Sequence, residues 1–240
     1  MTPSSATTST TPRPRGAVHL LACVALLVLS VWATDLPDSA KEDVAPSLPR
    51  ELAKGPTGEP LTEAQLRALE SGDVLTHLAA EEGATVKRAT AVALVDAAPE
   101  AVYAVLLDIA RFPAYMAYVE KTEVLGEADG VTRVRFHLDL PWPVGNRHYV
   151  LRMEKERTRE SEREVLVSSW TYEPGSGNIN DTQGYWKVCA YDGKRSFVRY
   201  MVLTDPGGKV PPWMADKATA VAVPRVIKSV REEVARAEQP

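Results

Sequence analysis

The chain has 240 residues, of which 45% are hydrophobic and 25% are charged, a composition that excludes both a disordered chain and a membrane protein with several spans. It contains only two cysteines, so a scaffold built on disulfide bonds is also excluded. The formal net charge is −4, which gives no reason to expect nucleic acid as a partner.

The N-terminal segment has the pattern of an export signal. Two arginines precede an almost wholly apolar run at residues 17–33, and Val31 and Ala33 suit the positions before a cleavage site. We therefore expect residues 1–33 to be a signal peptide and the protein to be exported, as a periplasmic or secreted protein. The alternative is an uncleaved membrane anchor at residues 17–33, whose length is at the lower limit for a spanning helix. The Ala/Val/Arg-rich composition favours a bacterial source.

A linker and one folded domain are predicted to follow. Residues 34–60 are rich in proline and also contain glycines, which is typical of an extended and mobile linker. The apolar spacing of helices and strands begins after this segment. We therefore place the folded domain at residues 61–240.

The first predicted elements of the domain are a short helix, a hairpin and a second helix. Thr62 is followed three residues later by Gln65, which is the spacing of a capping box at the start of a helix. A β-hairpin is predicted next, with its turn at residues 81–83. Pro99 suits the first turn of the second helix.

Alternation with a period of two dominates residues 131–205. Val134, Phe136 and Leu138 alternate with polar residues, which is typical of a strand with one buried and one solvated face. Such patterns predict five antiparallel strands, at residues 131–140, 146–156, 163–173, 183–192 and 195–205.

A long helix is predicted to end the domain, at residues 212–237. Apolar residues recur along it at three- and four-residue spacing, which predicts a buried stripe of Trp213, Ala220, Val223, Ile227, Val230 and Val234. Helices segregated from an antiparallel sheet place the chain in the α+β class. A curved sheet around one long helix leaves a hydrophobic cavity, which is a favoured place for a ligand.

Two proline-rich motifs resemble those of START-type lipid-transfer domains. Pro141–Arg147 (PWPVGNR), followed by a Tyr-Val-Leu-Arg strand, resembles the family's PWPxx(N/D)RDYV segment, and Asp205–Met214 (DPGGKVPPWM) resembles its entry to the last helix. Residues 95–116 are similar to the early part of the wider helix-grip or SRPBCC superfamily, which includes polyketide cyclases. The resemblance covers residues 61–237. It implies a helix-grip fold, in which an antiparallel sheet grips the C-terminal helix over a hydrophobic tunnel.

Arg147 is the candidate polar residue of this tunnel. It has the same strand parity as Tyr149, so it is predicted to face the cavity. A buried guanidinium needs a partner, which the sequence leaves open as a carboxylate, backbone carbonyls or a ligand headgroup. A structural salt bridge at the rim is the alternative to a role in binding. Two residues depart from the family pattern, because His148 replaces the aspartate that follows the motif arginine and Asp216 replaces an asparagine near the start of the last helix.

The other candidate ligand-binding residues are bulky side chains that suit a lipid tunnel and equally suit any protein core. They are Tyr149, Trp170, Tyr172, Trp186, Tyr200, Trp213 and Met214. The scattered histidines lack the spacing of metal ligands, so neither a metal nor another cofactor is expected. Glu232 and Glu233 are interpreted as part of a solvated face.

The resemblance implies that the protein binds a lipid or other hydrophobic small molecule in an internal cavity, with transport of that molecule and transient contact to a membrane as further expectations. The net charge of −4 gives no nucleic-acid partner. An enzyme related to polyketide cyclases and aromatases is the first alternative, although the sequence offers no paired acid and base on an inward face. A protein-interaction module with a filled interior is the second.

Overall fold

The computed structural model describes residues 54–140, 145–160 and 162–239. The predicted signal peptide or anchor, most of the predicted linker and the Pro-Trp-Pro-Val part of the first motif lie outside the described residues. The strands are β1 (Leu75–Ala79), β2 (Arg88–Val95), β3 (Val119–Ala128), β4 (Val131–Leu138), β5 (Arg147–Glu160), β6 (Arg163–Tyr172), β7 (Asp181–Ala190) and β8 (Ser196–Asp205). The helices are α1 (Glu63–Glu70), α2 (Pro99–Leu107), α3 (Phe112–Tyr115) and α4 (Pro212–Ala237), with a 3-10 turn at Ile109–Arg111.

All eight strands form one antiparallel sheet in the order β1-β2-β8-β7-β6-β5-β4-β3. Strands β3 to β8 follow one another as a meander, and β2 pairs with β8 from Ala89 opposite Val202 to Val95 opposite Ser196. The N-terminal hairpin therefore joins the far end of the meander. A long curved antiparallel sheet with a C-terminal helix confirms the predicted α+β class and the helix-grip fold.

One face of the sheet, here called the α4 face, carries α2 and α4. Alternation along β5 places Tyr149, Leu151 and Met153 on this face, where they join the main hydrophobic core. The residues that β2 contributes to the same core include Ala89, Ala91 and Ala93, whose small side chains let α4 lie close to the strand. The helices and the sheet thus share one core, and the candidate site lies on this face.

The opposite face, here called the α1 face, is covered by α1 and by the residues before it. Leu69 of α1 packs on a second hydrophobic cluster that includes Phe197 of β8. Arg199, also on this face, donates hydrogen bonds to the carbonyl oxygens of Lys54 and Gly55. Lys54 and Gly55, which the sequence assigns to the linker, therefore contact this face of the sheet.

Helix α4 has the predicted bounds, but its buried stripe is not entirely the predicted one. Val223, Ile227, Val230 and Val234 are buried as expected, whereas Ala220 is exposed and Trp213 is 64% exposed. Ala215 is the buried residue of the first turns. Because each helical residue turns by about 100°, Trp213, two positions before Ala215, lies on the opposite side of the helix. The prediction that Trp213 belongs to the buried stripe is therefore wrong.

Candidate ligand-binding site

Arg147 joins the two motifs that were recognised in the sequence. It is half-buried at the start of β5 and pairs with Leu138 of β4. Its Nε donates to the carbonyl oxygen of Pro206 at 2.9 Å, and its Nη1 donates to the carbonyl oxygen of Asn146 at 3.1 Å. The sequence left the partner of Arg147 open as a carboxylate, backbone carbonyls or a ligand headgroup. The structure shows backbone carbonyls. The guanidinium thus fixes the loop that leads into α4.

Asp205 fixes the same loop from its other side. Its carboxylate accepts hydrogen bonds from Thr85 Oγ1 at 2.9 Å, from Asn180 Nδ2 at 3.2 Å and from the backbone N–H of Gly207 at 2.9 Å. Burial alone raises the pKa of Asp205, but these three hydrogen bonds outweigh burial and lower it. Gly207 and Gly208 both have left-handed backbones, with φ of 64° and 70°. The turn after β8 therefore depends on glycine.

The first turns of α4 are tied to the start of β2. Asp216 accepts a hydrogen bond from the backbone N–H of Lys87 at 2.9 Å, and the Lys87 Nζ lies 3.7 Å from the same carboxylate. The asparagine that the family pattern has near this position is thus replaced by an anion with a cationic partner. This contact and the one made by Arg147 hold the N-terminal end of α4 over the sheet.

An aromatic wall lines the α4 face across four adjacent strands, and we use this name for Tyr149, Trp170, Trp186 and Tyr200. The exposed fraction of these side chains is between 5% and 9%. The ring centroids of Trp186 and Tyr200 are 4.2 Å apart, and those of Trp170 and Tyr200 are 6.0 Å apart. Tyr149 stacks on Phe136 with a centroid distance of 6.0 Å. The four strands thus bring together four of the predicted site residues.

A glycine in β7 sets the position of one wall residue. The indole of Trp170 lies on the backbone of Gly184, where an added Cβ would be 2.2 Å from Trp170 Cζ2 and 2.4 Å from the carbonyl oxygen of Met201. Real side chains do not come this close. Glycine at residue 184 therefore makes the room that Trp170 occupies.

The family described as polyketide cyclase / dehydrase and lipid transport matches residues 95–231. This match spans more than half of the chain. It contains α2, the strands β3 to β8 and α4 as far as residue 231. The chain belongs to this family.

Similar proteins agree with this family membership. A bovine phosphatidylcholine transfer protein is 29% identical over 148 residues, which cover 57% of this chain and 68% of that protein. A STAR-related lipid transfer protein from Xanthomonas axonopodis has a TM-score of 0.58 at 22% identity, covering 67% of this chain and 93% of that one. An aromatase/cyclase from Streptomyces sp. R1128 has a TM-score of 0.51 at 19% identity, covering 63% of this chain and 95% of that one. Lipid-transfer proteins and cyclases thus share this fold.

The other predicted site residues of this family member, Tyr172, Met214 and Trp213, lie in three different environments. Tyr172 is half-buried and packs against the same core as the aromatic wall. Met214 is half-buried at the start of α4, whereas the exposed Trp213 points away from the core. The structure therefore does not bring Trp213 together with the wall.

The structure has two clefts beside α2 that the sequence analysis did not predict. One of about 440 Å³ lies between α2 and β5, with Tyr103, Lys155 and Arg157 among its lining residues. The other, of about 320 Å³, lies between α2 and the C-terminal half of α4, with Tyr115 and Glu233 in its lining. The presence of α2 over the sheet, rather than any sequence motif, creates both clefts.

Glu233 was assigned to a solvated face, and this prediction is wrong. Its side chain is only 4% exposed, and its carboxylate pairs with Arg111 at 2.5 Å and with Arg236. The signal was present in the sequence, because residue 233 follows Val230 by three positions and so falls on the buried stripe. The pair fixes the C-terminal half of α4 to the 3-10 turn.

His137 and His148 lie away from the aromatic wall. His137 and His148 face each other across β4 and β5 on the α1 face, with ring centroids 6.3 Å apart. Within the described ranges, no group of three or more His, Cys, Asp or Glu side chains is arranged to hold a metal ion. No helix in that part of the chain is long and apolar enough to cross a membrane.

Proposed function

We propose that the protein binds a lipid or another apolar small molecule on the α4 face, beneath α4, and carries it. The observation that carries this proposal is the aromatic wall, a set of large side chains buried between the sheet and the helices. The family description, which includes lipid transport, and the lipid-transfer proteins among the relatives support it. The free energy of binding comes chiefly from removing apolar surface from water, at about 0.8 kcal/mol for each buried CH₂.

Native mass spectrometry of the purified full chain, followed by solvent extraction, tests this function. A stoichiometric adduct that is released as a lipid or another apolar molecule is the expected result, and it identifies the class of ligand. A chain that carries no adduct and also takes up no added phospholipid or fatty acid would overturn the proposal.

Entry of the ligand requires the first half of α4 to move. Among residues 212–222 of this helix only Ala215 is buried, whereas the second half buries five residues. Gly207 and Gly208 provide the hinge, as lid hinges require a few residues that absorb a backbone change. A disulfide formed in a Lys87→Cys/Asp216→Cys variant pins the helix at its existing contact with β2. Lipid uptake should stop in the oxidised form and return on reduction, while the Lys87→Cys variant alone keeps its uptake under both conditions. Equal uptake by both forms of the double variant contradicts the hinge.

Contact with a membrane is proposed for the same half of α4. Trp213 is 64% exposed and Val221 is 47% exposed, and the cations Lys217 and Arg225 are exposed beside them. An exposed tryptophan with flanking cations suits the interface of an anionic bilayer. Trp213→Ser should reduce co-flotation with vesicles that contain phosphatidylserine. Val124→Ser is the control, because Val124 is 58% exposed on β3, away from α4. A Trp213→Ser variant that floats as well as the unmodified chain contradicts the proposal.

Export is proposed from the pattern of residues 1–33. N-terminal sequencing of the protein after expression in a bacterium should give a mature chain that begins at Thr34 and leaves the cytoplasm. An intact N-terminus in the membrane fraction supports the alternative, an anchor at residues 17–33.

The enzyme alternative, a polyketide cyclase or aromatase, draws on the family description and on the cyclase among the structural neighbours. Burial raises the pKa of Tyr149 and of Tyr200, so both phenols stay protonated at neutral pH and neither serves as a base. A bound poly-β-ketone that is recovered cyclised favours the enzyme, and recovery of unaltered lipid favours the carrier.

A further inference from the structure

The aromatic wall carries polar atoms that the protein itself does not pair. Within the described residues, the hydroxyls of Tyr149 and Tyr200 and the indole N–H groups of Trp170 and Trp186 have no hydrogen-bond partner. The exposed fractions of these four side chains are 8%, 9%, 9% and 5%, in the same order. Buried polar groups are normally paired, so four unpaired ones on one face need an explanation.

Two other buried or half-buried tyrosines near the same helices are paired. The Tyr103 hydroxyl donates to the carbonyl oxygen of Val167 at 2.7 Å, and the Tyr115 hydroxyl donates to the carbonyl oxygen of Val105 at 3.0 Å. The buried phenols of Tyr149 and Tyr200 lack such a partner, as do the half-buried Tyr172 and Tyr185.

The unpaired polar atoms of the wall keep some accessible surface. Arg231 Nη2 is, among the described residues, the side-chain atom that has neither solvent-accessible surface nor a hydrogen-bond partner. The four polar atoms of the wall are unpaired but are not sealed, so each has accessible surface. Accessible polar atoms of this kind bind water or a polar group of a ligand.

The rings of the wall are used for packing, which leaves their polar edges for a ligand. Tyr200 packs against both Trp186 and Trp170, and Tyr149 stacks on Phe136. A cage for a quaternary ammonium needs ring faces that are open to the ligand. Here a neighbouring ring packs against each wall residue. The geometry therefore favours hydrogen bonding over a cation–π contact.

The four groups are mainly hydrogen-bond donors. An indole N–H can only donate, and a phenol donates one hydrogen bond and accepts others. Burial raises the pKa of both tyrosines, and a charge on Tyr149 would raise the pKa of Tyr200 further. Both remain neutral donors. A set of neutral donors in an apolar space complements neutral acceptor oxygens and leaves an ionic group without a counter-charge.

We propose that the two phenol hydroxyls and two indole N–H groups of the aromatic wall form a hydrogen-bonding subsite for a neutral, largely apolar ligand that carries carbonyl or similar acceptor oxygens. This inference rests on the proposed function and specifies the class of ligand. A ligand without such oxygens binds less well, because it displaces water from these donors and gives them no replacement.

Fluorenone and fluorene are a matched pair of probes, since both have the same three rings and only fluorenone has a carbonyl oxygen. Titrations of the full chain, followed by tryptophan fluorescence, measure both dissociation constants. The unmodified chain should bind fluorenone about tenfold more tightly than fluorene. Tyr149→Phe and Tyr200→Phe keep the rings and should each reduce this preference about fivefold, with fluorene binding unchanged. Tyr185→Phe is the control, because Tyr185 lies on the α1 face of β7.

Each outcome decides the proposal. Equal binding of fluorenone and fluorene by the unmodified chain overturns the subsite but leaves apolar binding intact. A loss of fluorene binding in Tyr149→Phe or Tyr200→Phe shows that these residues act only by packing and overturns the subsite as well. Displacement of fluorenone by short-chain phosphatidylcholine, but not by a neutral ketone of equal length, assigns the wall to a choline headgroup and also overturns it. An absence of binding for both probes overturns the subsite, whereas the proposed function fails only if the chain also carries no apolar adduct and takes up no added phospholipid or fatty acid.

Discussion

Arg147 Nε and the carbonyl oxygen of Pro206 are joined by a hydrogen bond of 2.9 Å across 59 residues of sequence. This bond connects the end of the first proline-rich motif to the start of the second. A charged donor that binds backbone carbonyls fixes the position of a loop without a carboxylate partner. Arg147 therefore does not need the aspartate that the family pattern has at residue 148, where this chain has histidine. The two motifs are therefore two sides of one structural junction at the base of α4.

Replacement of Arg147 by alanine should loosen this junction. The variant removes the hydrogen bonds to Pro206 and Asn146, and because the guanidinium is only half-buried we expect a loss of about 1 kcal/mol in the free energy of unfolding. Urea unfolding measures the loss. Arg152→Ala, at an exposed residue of the same strand, is the control and should change stability by less than about 0.5 kcal/mol. Equal effects of the two substitutions would contradict the role of Arg147.

The regular parts of the fold could be predicted from sequence, because periodicity records which face of an element is buried. The capping box at Thr62 is present, with Gln65 as its partner, and α4 begins and ends where the apolar spacing indicates. Strand β3 was not predicted. Its pairing with β4 is shifted near residues 119–121 and 124–126, and these irregularities break the alternation that identifies a strand.

The contacts of the site could be predicted only in part. Parity along β5 correctly assigned Tyr149 to the buried face, since alternation is a local property. The carbonyl partner of Arg147 comes from a loop that is far away in sequence, and nothing near Arg147 in the sequence indicates it. Trp213 was misassigned because a stripe of apolar residues on α4 can be drawn through either side of its first turns. In the structure Ala215 is the residue buried there, and Asp216 contacts Lys87.

Replacement of Gly184 by alanine should disturb the aromatic wall. The added methyl group would overlap both the Trp170 ring and the carbonyl oxygen of Met201, so we expect a destabilisation of about 1–3 kcal/mol. A shift of the near-ultraviolet circular dichroism of the tryptophans should accompany it. Gly193→Ala is the matched control, because nothing lies within 4 Å of its added Cβ. Unchanged stability and spectrum in Gly184→Ala would show that Trp170 does not lie on this backbone.

Replacement of Glu233 by alanine should destabilise the protein far more than replacement of its neighbour Glu232. Glu233 is buried between Arg111 and Arg236, whereas the side chain of Glu232 is 59% exposed. Breaking a fully buried ion pair costs about 3–5 kcal/mol, and because Arg111 is 55% exposed we expect about 2 kcal/mol. Thermal unfolding of the two variants in parallel measures the difference. Similar melting temperatures would contradict the anchoring of α4 by Glu233.

Acid should weaken the junction around Asp205. Because the pKa of this carboxyl is lower in the folded protein than its ordinary value of 3.8, its ionised form stabilises the fold. The contribution is fully present above the ordinary pKa, and it is lost as the pH falls through the lowered pKa of the folded state. Asp205→Asn removes the titrating group, so the loss of stability between neutral pH and pH 3 should be smaller in this variant than in the unmodified chain. Urea unfolding at both pH values, with the exposed Asp139→Asn as the control, measures the difference. Parallel stability losses in all three proteins would show that Asp205 does not couple folding to pH.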